Sequence, residues 1–326
     1  MQNAPSAIPN VSFIMAAHDA APWIEAAVAS ALAQNGVSVE VVVVDDASRD
    51  DTAARVAALA AADPRVILLR QEHSGGPSVA RNLALNHARG DWIAVLDADD
   101  LVDADRSRVL LALAAESGCA VVADNVLRFD DDDPSTAWPQ MPVRGGVLRV
   151  NLAEYLRRNR MTGGDTNLGY LKPLFARALL EANGIRYDEH LRIGEDFHFC
   201  LRCLAAGAEL AITPQPLYRY RVLAGSLSRK LGAPDLRKLL AAHDAFLATA
   251  GILELETALA SEAYHRGLLD MLAYVDFRVG LDRRDWSGTL RRALQLPLWR
   301  ALAEVGCRSL VRRFARQRAA RRAIPA

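Results

Sequence analysis

Between Val11 and Asn125 short apolar runs alternate with helical segments, and this alternation constrains the fold more than any other feature of the chain. Strands joined by crossover helices pair in parallel, so the pattern predicts βαβ units and a mostly parallel sheet. Val11–Ala17 reads as the first strand and Trp23–Gln34 as the first helix. Gly36 follows that helix, where a terminating glycine belongs. Val39–Val44 is valine at every position but Glu40, fit for a strand buried on both faces. Helix is expected over Thr52–Ala62, strand over Val66–Leu69 and helix over Val79–Ala88. Trp92–Leu96 makes a fourth strand, and Asp103–Glu116 with Ala120–Asn125 adds a further helix–strand pair.

After Arg128 the rhythm breaks. Asp130–Asp133, Pro134, Pro139, Pro142 and Gly145-Gly146 form a polar, irregular connection, and its aspartate run reads as a solvated loop rather than a metal site. Strands are expected at Leu168–Phe175, Leu210–Thr213 and Leu217–Arg221, and helices at Arg177–Ala182 and Glu195–Ala206. From Pro234 onward the chain is alanine- and leucine-rich with helical periodicity, a separate appendage. A length of 326 residues suits one large domain plus such an appendage.

Lys+Arg and Asp+Glu both total 39, so net charge points to no nucleic-acid partner. The tail is less even: between Arg300 and Ala326 eight arginines accompany one acid, Glu304. Leu302, Val305, Leu310, Val311 and Phe314 share a helical face, with Arg308, Arg312, Arg313 and Arg316 on the rest. Such a helix suits peripheral contact with an anionic membrane, or packing on a neighbour. Four cysteines are too few and too scattered for a disulfide framework, and Cys200 and Cys203 are expected as buried helix thiols. Met1–Asn10 lacks the basic start and apolar core of a secretory signal, and no apolar run approaches the roughly 18–20 residues of a membrane span. The expected location is the cytoplasm.

Ligands of an open parallel sheet bind outside the carboxyl ends of its strands. There stand Ala17-His18-Asp19, Asp45-Asp46, the turn Gly75-Gly76-Pro77-Ser78 leading to Arg81, and Asp97-Ala98-Asp99-Asp100. Acids at such positions also serve as helix caps, a role that here falls to Asp103, directly before the next helix. Two acidic strand ends with an arginine and a glycine turn between them describe a pocket for a charged ligand. Bare carboxylates about 4 Å apart repel by several kcal/mol at an effective dielectric near 20. An anionic ligand therefore needs a cation between, and Mg²⁺ or Mn²⁺ takes one or two protein carboxylates plus substrate phosphates. The expected ligand is a diphosphate bridged by metal to Asp99, with Asp97 on the metal or on a ribose hydroxyl. Asp46 would accept from a nucleobase N–H, and Arg81 would hold a phosphate or a base edge.

Val11-Ser-Phe-Ile-Met-Ala-Ala-His18-Asp19, Val43-Val44-Asp45-Asp46-Ala47-Ser48-x-Asp50, Gly75-Gly76-Pro77-Ser78-x-Ala80-Arg81-Asn82 and Leu96-Asp97-Ala98-Asp99-Asp100 resemble the motif set of the GT-A, family 2 inverting glycosyltransferases. Order and spacing match from Val11 to about Arg221. The departure is His18-Asp19, where the family usually has Tyr-Asn. The resemblance implies a nucleotide-diphospho-sugar donor, usually a UDP-sugar, with Mn²⁺ or Mg²⁺ at Asp97-x-Asp99. It also implies donor contacts from Ala17, His18, Asp19, Asp46, Arg81, Asp97, Ala98 and Asp99. An inverting transfer needs a base for the acceptor hydroxyl. Gly194-Glu195-Asp196-Phe197 matches the family's Glu-Asp position, making Asp196 the candidate base and Glu195 a candidate for acceptor hydroxyls. The plain alternative is two acids in a first helical turn, favoured by the helix dipole.

A narrower resemblance lies in Ala123-Asp124-Asn125, Leu168-Gly169-Tyr170-Leu171-Lys172-Pro173, Leu191-Arg-Ile-Gly-Glu-Asp196 and Ser226-Leu-Ser228, which look like bacterial succinoglycan-type exopolysaccharide glucosyltransferases. It implies UDP-glucose as donor, a lipid-diphosphate-linked oligosaccharide at the cytoplasmic membrane face as acceptor, and Asp124, Asn125 and Lys172 at donor sugar or acceptor. Residues 1–230 are then a GT-A domain, 11–127 its nucleotide-sugar half and 128–230 its acceptor half, with 231–326 the helical region. Another UDP-sugar (galactose, N-acetylhexosamine) and a non-catalytic nucleotide-sugar-binding relative are the alternatives. A haloacid-dehalogenase-like phosphatase carries its acidic pair on the first strand, and a sugar nucleotidyltransferase needs a glycine-rich phosphate loop that Val11–Trp23 lacks.

Overall fold

The computed structural model describes residues 10–130, 138–139, 146–161, 167–223, 231–282, 284 and 297–303. Asp131–Asp133, Ser226-Leu-Ser228 and the basic segment 304–326 lie outside the described residues. Met1–Tyr155 with Leu168–Lys230 make one compact unit, and Leu156–Asn167 with Leu231–Ala326 a second.

The first unit begins with β1 (Val11–Ala17), α1 (Ile24–Leu32), β2 (Val39–Asp45), α2 (Thr52–Ala62), β3 (Val66–Arg70), α3 (Pro77–His87) and β4 (Trp92–Val95). These four strands pair in parallel in the order β3-β2-β1-β4. Every residue of β2 is buried, as its valine run requires of a central strand covered on both faces. Glu40 is tolerated there because Ser12 and Arg89 bond its carboxylate. Burying each such valine stabilises the fold by about 1.5–3 kcal/mol.

Beyond β4 the sheet becomes mixed. β5 (Leu101–Val102), α4 (Arg106–Ser117), β6 (Val121–Phe129), β7 (Trp138–Pro139), β8 (Leu148–Val150), α5 (Leu152–Arg158), β9 (Leu174–Ala176), α6 (Arg177–Ala182), α7 (Glu195–Ala205) and β10 (Leu210–Arg221) follow. β9 inserts antiparallel between β4 and β6, β10 runs parallel to β6, and β5 closes that edge antiparallel to β10. Leu168–Phe175, expected as one strand, is a 3₁₀ turn at Leu168–Tyr170 followed by β9. Pro173, with no N–H to give a ladder, stands just before β9. The two strands expected at Leu210–Thr213 and Leu217–Arg221 are one, kept continuous across Pro214 and Pro216 by register shifts. Helix α4 starts at Arg106 rather than Asp103, whose carboxylate accepts from the Asp105 N–H instead of capping the helix.

In the second unit α8 (Ala233–Thr249) and α9 (Leu255–Asp282) bury Leu236, Leu239, Tyr264 and Leu268. His243 is buried there, its Nε2 2.9 Å from the Ser261 hydroxyl and its ring 4.9 Å from that of Tyr264. Among the described residues no helix is long and apolar enough to cross a membrane.

Candidate active site

Chain progression reverses between β1 and β4: from β1 it moves outward to β2 and β3, then returns on the other side of β1 as β4. The crevice at the carboxyl ends of β1 and β4 is therefore the topological switch point, where such sheets bind ligands. Ala17, His18, Asp19 and Asp46 form one rim of it. Asp46 N–H donates to the Ala17 carbonyl (2.8 Å), and the Asp46 carbonyl accepts from His18 Nδ1 (2.7 Å). Asp19 takes a left-handed φ of 50° and accepts the Arg49 N–H. The Asp46 carboxylate, expected to face a nucleobase, receives Ser74 Oγ (2.8 Å), Gly75 N–H (2.7 Å) and Gly76 N–H (2.9 Å). It thus organises the glycine turn that starts α3, with one of its four acceptor positions left over. Gly76 is required there: its φ is +89°, and a Cβ would lie 3.3 Å from Arg192 Nε.

Helix α3 reaches across to the segment before α7. Ser78 Oγ donates to the Leu191 carbonyl (2.6 Å), and Asn82 pairs with both the N–H and the carbonyl of Tyr187. Between these anchors Arg81, 4% exposed, meets three acids. Its guanidinium lies 2.6 Å from Asp97 Oδ1, 2.8 Å from Glu195 Oε1 and 3.2 Å from Asp196 Oδ1. These partners differ from the phosphate or base edge expected of it. Lys172 closes the ring, with Nζ 2.7 Å from Asp97 Oδ2 and 2.6 Å from Asp196 Oδ2. Gly194, at φ 79°, lets the chain enter α7 so that Glu195 and Asp196 fill its first turn.

Electrostatics divides these acids. Burial alone would raise the Asp97 carboxyl, but Lys172 and Arg81 hold it well below the usual carboxylate range. Asp99 has no ion-pair partner among the described residues; burial, then the Asp97 charge, push it up to about 6. Burial and Asp196 raise Glu195. Three carboxylates (Asp97, Glu195, Asp196) share two cations (Arg81, Lys172), while burial, then Asp97 and Asp99, push the Asp100 carboxyl well above the usual range, so positive charge is in deficit beside Asp99. No group of three His, Cys, Asp or Glu side chains among the described residues could hold a metal alone. A site offering one or two carboxylates beside an uncompensated charge fits Mg²⁺ or Mn²⁺ that completes its shell on substrate phosphates. Asp99 and Asp97 are the residues that would hold it.

The carboxylate run is braced by residues not singled out in the sequence. Tyr218, fully buried on β10, donates its hydroxyl to Asp100 Oδ2 (2.7 Å) and accepts the Asp97 N–H (3.2 Å). The Arg221 N–H donates to Asp100 Oδ1 (2.7 Å), and Arg221 Nε to the Asp99 carbonyl (2.6 Å). β5, pairing with Tyr218 and Arg219, pins the chain just past Asp100. The alternation Tyr218-Arg219-Tyr220-Arg221 gives no local sign of this brace, because it would put Arg221 on the same face as Arg219, whereas Arg219 is exposed and Arg221 buried.

Asp124 sits apart from the ring. Its side chain is fully buried, Oδ1 on Arg106 (2.8 Å) and Oδ2 accepting the Leu217 N–H (3.1 Å). The sugar contact expected of it finds no exposed oxygen. Arg106 stacks over the Tyr218 ring at 5.1 Å and also donates to the Lys172 carbonyl. Asn125 is likewise buried, and Ala98 is 5% exposed between the two aspartates. Cys200 and Cys203 lie buried on α7, where burial pushes the Cys200 thiol up to about 12.

A mostly parallel sheet with an acidic pair at its switch point, joined to a second acidic pair beyond an antiparallel insertion, defines the GT-A class of fold. The chain belongs to glycosyl transferase family 2, whose model matches residues 12–179. It is related to the succinoglycan biosynthesis protein ExoO of Rhizobium meliloti (strain 1021), 38% identical over 293 residues, 89% of this chain and 82% of ExoO. Among solved structures it is similar to S. aureus TarS 1–349 in complex with UDP-GlcNAc (TM-score 0.64, 18% identity, 83% of each chain). It is also similar to the mannosyltransferase PcManGT from Pyrobaculum calidifontis in complex with GDP-Man and Mn²⁺ (TM-score 0.58, 21% identity, 94% of this chain and 82% of that one). The protein is a family 2 glycosyltransferase.

Proposed function

We propose that the chain transfers glucose from UDP-glucose, with inversion, to a hydroxyl of a growing lipid-diphosphate-linked oligosaccharide in exopolysaccharide assembly. The observation that carries this reading is the ring in which Arg81 and Lys172 join Asp97 of the acidic pair to Asp196. The relationship to ExoO supports the pathway, and the nucleotide-sugar complexes of TarS and PcManGT support the donor class and the divalent cation.

In this reading Ala17, His18, Asp19 and Asp46 hold the nucleotide. A bound Mn²⁺ or Mg²⁺ would offset the charge of the departing diphosphate. Both oxygens of the Asp196 carboxylate are met by cations, Oδ2 by Lys172 and the buried Oδ1 by Arg81 at 3.2 Å, which fixes its orientation. In the proposed step the Asp196 carboxylate takes the acceptor hydroxyl's proton as the acceptor oxygen bonds to the anomeric carbon. The bond from that carbon to the diphosphate breaks, and its electron pair leaves with the diphosphate. Glu195 orients acceptor hydroxyls. Residues 11–127 form the donor half and 128–230 the acceptor half, and the basic segment after Arg300 rests on the anionic membrane that carries the acceptor.

A panel of nucleotide sugars with Mn²⁺, assayed for donor hydrolysis and transfer, tests the reading. UDP-glucose is expected to give the highest kcat/KM. Absence of both binding and turnover with every UDP-sugar refutes it.

A further inference from the structure

Lys172 is buried, and its ammonium is gripped by two carboxylates from different parts of the chain, Asp97 after β4 and Asp196 in α7. A buried ammonium is costly to desolvate, and an apolar residue of similar volume often stabilises a core as well. Its placement is also enforced from behind. The Lys172 carbonyl accepts from Arg106, which is fixed by Asp124 and lies over Tyr218, the residue bonded to Asp100 and to the Asp97 N–H. The lysine backbone and the acidic run therefore share one rigid support.

We propose that Lys172 is a positioning residue with two linked tasks. In the donor-free protein it is a resident cation on Asp97, competing with a divalent cation for that carboxylate. Through Oδ2 it fixes the Asp196 carboxylate, whose Oδ1 lies 3.2 Å from Arg81, in one orientation for proton transfer. Lys172 would yield Asp97 to a divalent cation while keeping its tether on Asp196, so metal loading and base orientation are coupled through one ammonium group. The inference rests on the metal-dependent transferase reading above.

The test measures binding of Mn²⁺ alone, by electron paramagnetic resonance, to wild type, Lys172→Met and Lys172→Arg, together with donor hydrolysis and transfer kinetics. Lys172→Met is expected to bind Mn²⁺ about tenfold more tightly, because the competing unit charge beside Asp97 is gone. Its kcat is expected to fall about 100-fold with donor KM within about threefold of wild type, since base orientation and not donor binding is lost. Lys172→Arg keeps the charge and is expected to keep wild-type Mn²⁺ affinity. Should Lys172→Met not fold, Lys172→Gln removes the charge while keeping a polar end, with the same expected direction. Unchanged Mn²⁺ affinity in a folded neutral variant, beside a wild type that turns over with Mn²⁺, overturns the role of Lys172 and leaves the proposed function standing. A large rise in donor KM with unaltered Mn²⁺ affinity makes Lys172 a donor ligand and also overturns it. Absence of Mn²⁺ binding and of turnover in the wild type overturns both.

Discussion

Arg81 and Asp97 meet at 2.6 Å, and the same guanidinium reaches Glu195, 114 positions further along the chain. A planar fork of donors can serve both acids at once, which a single ammonium cannot do with the same geometry. Arg81→Lys is therefore expected to lower kcat/KM about 100-fold, as the second acidic pair loses its register with the first. Arg81→Met, which leaves three half-buried acids short of a cation, should cost about 3 kcal/mol in urea unfolding. Near-wild-type kinetics for Arg81→Lys would show that the fork is not needed.

Asp124 offers a sharp distinction between a buried support and a sugar contact. Asp124→Asn strands the fully buried Arg106 guanidinium, and a loss of about 3–5 kcal/mol in urea unfolding is expected. A variant of unchanged stability with a raised donor KM would return Asp124 to the sugar.

His243 gives the second unit a pH signature. Burial, aided by the nearby His265, lowers its pKa from 6.5 to about 4, while Asp244 acts in the opposite direction. Between these values the unfolded chain binds a proton that the folded one does not, so stability is full above pH 6.5 and is lost as pH falls towards 4. The loss reaches up to about 3 kcal/mol. Unfolding midpoints of wild type between pH 7 and 4.5 should fall more steeply than those of His243→Gln; parallel slopes would rule His243 out as the source.

Much of this architecture is legible in the sequence because it is local. Valine-rich β2, the glycine turn and the acids after β2 and β4 announce themselves through runs of neighbouring residues. What hides is long-range pairing. Nothing near Asp100 signals that Tyr218 and Arg221 will return to brace it, and nothing near Asp124 signals the Arg106 that claims it. Arg81 is visible as a site residue, but its partners depend on how Ser78 and Asn82 bind the segment before α7. Proline misleads in both directions: Pro173 shortens an expected strand, whereas Pro214 and Pro216 are absorbed by irregularities in a single one.

For the arginine-rich segment the expectation is electrostatic. Deleting residues after Arg300 removes seven arginines, each contributing about 1 kcal/mol near an anionic surface. Sedimentation with vesicles containing anionic lipid should fall sharply, and the residual binding should lose its salt dependence. Unchanged partition would exclude this segment as the anchor.

The central claim joins donor chemistry at the switch point to a base on α7, and Asp196→Asn tests it most directly. Calorimetric titration with UDP-sugar and Mn²⁺ should give a Kd close to that of wild type. Transfer to acceptor should fall about 1,000-fold, within the range that a positioned general base contributes. Transfer by Asp196→Asn at the wild-type rate, with donor binding intact, would contradict the account.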